Sequence, residues 1–314
     1  MKKILCLCFC LLPLLFTSCV TLDVISTVIS VSQEIDEIND KSDKEKKVSN
    51  SIYKNEKVEK YGALVKSTTA VIKGITPEDE YIIGRAVASS VLGQYKLYNN
   101  EKATEYVNKI CSALVMNSYV PYLYKGYYVA ILDTAEVNAL STPGGHIFVT
   151  RGLIECAESE DALAAVIAHE ISHIQLSHAM ISIKTNRGVD VFTQMLNIMQ
   201  EENSKLSDKE LKIFDETRTS MFTTLMNTGF SKSMEFEADE YAMNLMADSG
   251  FDPACMIDLL TILENHTSGY GWSKTHPKPE TRIKTAKSNN KIKKFKGASA
   301  KVRQARFDSV KENF

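Results

Sequence analysis

Charge of one sign is what this sequence most plainly lacks. Lys and Arg number 37 against 39 Asp and Glu, a formal net charge of −2, so there is no broad basic face for nucleic acid, and none is expected as a partner. Cysteine is scarce wherever it could build a framework. Four of the seven, Cys6, Cys8, Cys10 and Cys19, fall within the first nineteen residues, and Cys111, Cys156 and Cys255 are spread over the rest. That spacing excludes a disulfide scaffold and contains no C-x-x-C pair to hold a metal. At most one bridge is possible, and buried free thiols are the expectation. No apolar run of eighteen residues follows the first eighteen positions, so no later membrane-spanning helix is expected. No internal repeat is present, which excludes a solenoid.

What is present begins with a targeting signal. "MKK" is a short positive start, "ILCLCFCLLPLLF" is an apolar run of thirteen interrupted by Pro13, and "TSC" places small residues before Cys19. Residues 1–18 read as a bacterial lipoprotein signal peptide and Cys19 as the residue that carries the lipid, with secretion without lipid as the alternative. Val20, not Asp, follows Cys19, so by analogy with sorting signals the outer membrane is the expected destination. Residues 19–60, with "NDKSDKEKKVSNS" at their most polar, lack the apolar residues to bury a face and read as a lipidated tether.

The 44% hydrophobic content supports one sizeable core, expected over 61–290. Thr76 with Pro77 makes an N-cap and first helical position for "EDEYIIGRAVASSVL", and a second helix is expected from about Lys102 to Asn117. "GYYVAILD" and, after the "TPGG" turn, "HIFVT" are aromatic and β-branched and read as strands. Helical spacing then dominates from "SEDALAAVIAHEISHIQLSH" through "SMEFEADEYAMNLMADSG", which ends at Gly250, and again in "DPACMIDLLTILENH". The pattern implies an α+β fold, predominantly helical, around a small β-sheet. Residues 291–314 read as a basic C-terminal tail.

Of six histidines in the chain, three lie in "AHEISHIQLSH", residues 168–178. Residues four apart share a helix face, so His169 and His173 can reach one metal ion while Glu170 borders the same site, where a carboxylate can take a proton from water. At about 100° per residue, His178 falls roughly 140° round the helix from His173 and is not expected to ligate. The metzincin pattern fails too, since Leu176 and Ala179 occupy its diagnostic positions. A third ligand is expected from "SKSMEFEADEYAM". There Glu235 and Asp239 again share a face, so that one can bind metal and the other accept a hydrogen bond from a ligand histidine. Glu237 faces elsewhere.

Four blocks in order, "NALSTPGGHIFVTRGL", "HEISH", "EFEAD" and "HPKPETRI", make the region from about 76 to 290 resemble the HtpX-like and CAAX-prenyl-endopeptidase-like zinc metallopeptidases. These are gluzincins, and within them the chain looks like the periplasmic BepA/LoiP-like lipoprotein branch, without the tetratricopeptide extension of its BepA-type members. The resemblance implies a zincin fold with a small sheet flanking the active-site helix and one Zn2+ per chain. It makes His169, His173 and Glu235 the ligands, Glu170 the general base, and Asp239 the partner of a ligand histidine. It also implies a substrate edge strand in the block from Asn138 through Gly144 and Gly145 to Thr150, and a loop whose His276 can take the fourth zinc position and close the enzyme. Arg282 is either an oxyanion or substrate contact or a solvated arginine.

The resulting expectation is a zinc endopeptidase, lipid-anchored at the periplasmic face of the cell envelope, that cleaves unfolded or misassembled envelope proteins. The rivals are a chaperone-like assembly factor with a closed zinc site and a non-proteolytic hydrolase using the same ligands. Substrate preference and oligomeric state are not encoded in any recognisable motif.

Overall fold

The computed structural model describes residues 75–187, 208–265, 276, 279–297 and 300–314. The expected signal peptide, the tether and Cys19 lie outside the described residues, as does the expected domain start at 61. None of the described helices is long and apolar enough to cross a membrane.

Helix α1 (Pro77–Leu92) begins as its sequence dictates. The Thr76 hydroxyl accepts from the Asp79 amide at 3.1 Å while the Asp79 carboxylate accepts from the Thr76 amide at 2.8 Å, so two otherwise orphaned backbone donors are satisfied reciprocally. α2 (Glu101–Met116) is capped by Asn100. Three strands follow, β1 (Tyr128–Leu132), β2 (Ala139–Ser141) and β3 (His146–Thr150), in sheet order β1-β3-β2. β1 runs parallel to β3, and β2 pairs antiparallel with it, Ser141 opposite Ile147. Side chains alternate across a strand, and here both faces are covered. Val129, Ile131, Ala139, Ile147 and Val149 enter the larger core, and Ala130, Leu132, Leu140 and Phe148 enter a second core under α1. Burial on both faces explains why these strands read as nearly continuous apolar runs.

After α3 (Arg151–Cys156) comes α4 (Glu160–Gln175), in which every residue is buried. Its "ALAAVIA" stretch, residues 162–168, is apolar all round, as a central helix must be. α5 (His178–Arg187), α6 (Asp208–Thr223), α7 (Lys232–Asp248), α8 (Cys255–Asn265), α9 (Pro279–Lys287), α10 (Asn290–Lys294) and α11 (Ala300–Val310) complete the described helices. α4 packs most extensively on α7. Gln175 at its end accepts from Tyr241 of α7 at 2.6 Å and donates to Ser118 and Tyr127 at 2.8 and 2.9 Å. The expected α+β, mainly helical class is therefore the observed one, with β2 and β3 against α4. Cys111 is buried and Cys156 and Cys255 are half-buried, and none of the three is in a disulfide.

The basic segment after 290 is not a loose tail. Arg303 donates to Asp161 at 2.7 Å and Arg306 to Glu160 at 3.0 Å, while Phe307 is fully buried in the larger core. Two acidic residues in the first turn of α4, each nearly removed from water, need counter-charges, and this last helix supplies them.

Candidate metal centre

The site is assembled where α4 crosses α7. On α4, one turn of helix sets the His169 and His173 Nε2 atoms 3.0 Å apart. From α7, Glu235 brings Oε2 to 3.6 Å from His169 Nε2 and Oε1 to 3.6 Å from His173 Nε2. The segment before α9 places His276 Nδ1 at 2.7 Å from Glu235 Oε2. All four side chains are buried, and one ligand atom from each lies within 4.8 Å of the rest.

Bonds of about 2.0–2.1 Å in a tetrahedral zinc site put neighbouring ligand atoms roughly 3.3 Å apart, and the separations here bracket that value. Glu235 Oε1, in addition, is buried with no hydrogen-bond partner. A buried carboxylate oxygen left bare is costly, and a cation among these donors removes the cost. The donor set of two imidazoles, a carboxylate and a further imidazole is that of zinc, and the residues fit one Zn2+.

The electrostatics carry the same message. Burial works against charge on both α4 imidazoles. For His173 it prevails, helped by the neighbouring His169, and the pKa falls well below the ordinary value. For His169 the hydrogen bonds to Asp239 and Glu235 outweigh burial and lift it to about 9. Burial opposes ionisation of Glu235 as well, yet His276 and His169 hold its carboxyl well below the usual range. The positive charge favoured on His169 stands where a metal would take over on binding.

Glu170 is 1% exposed. Its Oε2 accepts from the Ser141 hydroxyl of β2 at 2.7 Å, and its Oε1 has no hydrogen-bond partner. Burial, with Glu235 nearby, raises its pKa, the direction a general base working near neutrality requires. Ser141 carries no motif of its own in the sequence; only the hairpin brings it here.

Asp239 lies with Oδ1 3.1 Å from His169 Nδ1. Its other partner is Arg282, whose Nε and Nη2 donate to the two Asp239 oxygens at 2.7 and 2.6 Å, with Nη1 3.4 Å from Glu235 Oε2. Arg282 is only 1% exposed, so the solvated-arginine reading is corrected. Two of its donors are committed to Asp239, so the guanidinium steadies the two α7 carboxylates instead of presenting a free fork to an oxyanion.

Three further features surround the site. Asn138, Gly144 and Gly145, expected along a substrate edge strand, are themselves buried, while β2, which begins one residue after Asn138, lies at the edge of the sheet. The Asn138 amide donates to the Thr150 hydroxyl. A Cβ on Gly144 (φ +77°) would lie 2.5 Å from the Tyr81 backbone, and one on Gly145 (φ +109°) 2.1 Å from the Gly126 carbonyl. Gly144 thus lets the turn seat against α1, and Gly145 lets it seat against the loop before β1. His178 is also not where an unbroken helix would put it. α4 ends at Gln175 with Leu176 as its cap, Ser177 takes a positive φ of 50°, and the chain turns so that His178 Nδ1 comes 2.9 Å from His173 Nδ1. Finally, Phe230 stacks on His173 with ring centroids 4.4 Å apart; no signal in the sequence marks it.

The model of a family described as Peptidase family M48 matches residues 101–290. A beta-barrel assembly-enhancing protease of Escherichia coli (strain K12) is 25% identical over 216 residues, which are 67% of this chain and 43% of that protein. The mitochondrial metalloendopeptidase OMA1 of Schizosaccharomyces pombe is 27% identical over 203 residues, 62% of this chain and 55% of that protein. A mitochondrial metalloendopeptidase OMA1 of Bos taurus is 22% identical over 162 residues, 48% of this chain and 30% of that protein. The chain thus spans about half or less of the length of these relatives.

Proposed function

The chain belongs to peptidase family M48, and from that premise we propose that it is a zinc-dependent endopeptidase of the cell envelope, acting on unfolded or misassembled polypeptides. The observation that carries the reading is Glu170, a buried carboxylate with one bare oxygen beside the His169, His173 and Glu235 cluster. Zinc held by His169, His173 and Glu235 would supply Lewis acidity toward the scissile carbonyl and the attacking water. Glu170 Oε1 takes a proton from that water and returns it to the leaving amine, while the Ser141 hydrogen bond keeps Oε2 turned aside. Asp239, gripped by Arg282, holds the His169 ring in place. An extended substrate backbone adds beside β2, which pairs only with β3 among the described residues. The lipoprotein signal, with Cys19 lipidated, and the relative named as a beta-barrel assembly-enhancing protease support an outer-membrane-anchored role in protein quality control.

Every side chain of the site is buried, His276 included. That enclosure fits a resting state in which His276 occupies the fourth metal position and leaves to admit substrate. It also favours a second reading, an assembly factor that holds clients without turnover. One experiment separates them: zinc content and cleavage of an unfolded protein by the wild-type chain, Glu170→Gln and His276→Ala. Glu170→Gln is expected to keep one zinc and lose proteolysis by at least about 100-fold. His276→Ala is expected to keep zinc through the other three ligands and cleave faster. Activity of Glu170→Gln within a few-fold of wild type refutes the mechanism, and no cleavage by either wild type or His276→Ala establishes the binding factor.

A further inference from the structure

The two α4 imidazoles are not backed alike. His169 turns its Nδ1 to a carboxylate, as above. His173 turns its Nδ1 to another imidazole, His178, at 2.9 Å, and His178 Nε2 faces Glu237 Oε2 at 3.4 Å. His178 is 1% exposed on its side chain, and Glu237 is 39% exposed. His173 Nε2 is the atom aimed at Glu235 and His169, so it is the nitrogen that meets a metal, and the ring proton must then reside on Nδ1. Two facing Nδ1 atoms can share only one proton. His178 Nδ1 is therefore the acceptor, which places the His178 proton on Nε2, where Glu237 can accept it. A carboxylate at the outer end only accepts, and this fixes the direction of the whole chain.

We propose that His178, oriented by Glu237, is a positioning residue for His173: it accepts the His173 Nδ1 proton, fixes that ring's tautomer and leaves Nε2 free for zinc. The inference rests on the reading of His173 as a zinc ligand. It depends on the bend at Ser177, since on a continuous helix the two rings could not meet.

The test uses the full chain and three variants that differ in what stands at the Nδ1 position. His178→Asn keeps an acceptor oxygen there, His178→Gln offers its polar atoms nearer the Nε2 position, and His178→Leu offers none. Zinc affinity is measured by competition with a chelator. Affinity is expected to fall roughly 10–100-fold in His178→Leu and His178→Gln and to stay within about threefold of wild type in His178→Asn. Nitrogen-15 shifts of the wild-type imidazoles are expected to show His178 protonated at Nε2 and bare at Nδ1, a readout that needs no variant to fold. Equal losses in the Asn and Leu variants, zinc binding by His178→Leu as tight as wild type, or a proton on His178 Nδ1 each overturn the relay. A wild-type chain that binds no zinc refutes the metal centre itself, and the relay with it.

Discussion

His169 and His173 sit one turn apart on the same helix, yet the protein supports them by opposite means. Behind His169 stands a buried ionic pair, Asp239 and Arg282, both almost wholly removed from water. Behind His173 stands another imidazole, His178, whose own partner, Glu237, is partly solvated. A buried ion pair holds geometry firmly but tolerates no truncation, because the surviving charge is left without compensation. A contact that ends at the surface can lose its last member at small cost, since water replaces it.

Removing Arg282 gives the sharpest contrast. Arg282→Met should cost about 3–5 kcal/mol of unfolding free energy, read by urea denaturation, because Asp239 and Glu235 lose the guanidinium that compensates their buried charges. Adding Asp239→Asn to that variant should recover much of the loss. A loss under about 1 kcal/mol in the single variant would break the comparison, since the ion pair would then not be what holds the His169 side.

The bend that creates the His173 side has its own titrating neighbour. The Ser177 hydroxyl donates to Glu80 at 3.3 Å, and burial raises the Glu80 pKa to about 7. Between about 4.5, where an unfolded chain releases this proton, and about 7, the native state holds a proton that the unfolded state has lost. Stability therefore falls as pH rises through that window and levels off above it. Glu80→Gln removes the titration and should stabilise the chain by on the order of 2 kcal/mol at pH 8, with little effect at pH 4.5. An equal effect at both pH values would mean that ionisation at the bend is not what the substitution changed.

The smallest effect is expected at the outer end. Glu237→Gln keeps an oxygen that can accept from His178 and sits at a half-solvated position, so unfolding free energy should move by less than about 1 kcal/mol and zinc affinity by no more than a few-fold. A stability loss comparable with that of Arg282→Met would make the two supports alike after all.

Much of the centre is legible in the amino-acid sequence. His169, Glu170 and His173 follow from helical spacing, and so does the shared face of Glu235 and Asp239, because each pair lies within one turn and depends only on backbone geometry that the local sequence sets. The same locality makes the Thr76 cap, the two apolar strands and the mainly helical class readable. His178 escapes for a corresponding reason. Projection along an unbroken helix turns it away from His173, and a single residue of positive φ at Ser177 cancels that projection.

Local sequence, then, supplies the donor groups: a pair of imidazoles, an adjacent carboxylate and further carboxylates at helical intervals, in the order of a known peptidase family. How those groups are held depends on packing between elements. Ser141 meets Glu170 across 29 residues and Arg282 meets Asp239 across 43. Arg303 meets Asp161 across 142. Spacing along a chain fixes a side chain's direction only within its own helix or strand. Contacts between elements are settled by which apolar faces pack together, and they draw in a serine, an arginine and a basic C-terminal helix that no local pattern distinguishes from surface residues.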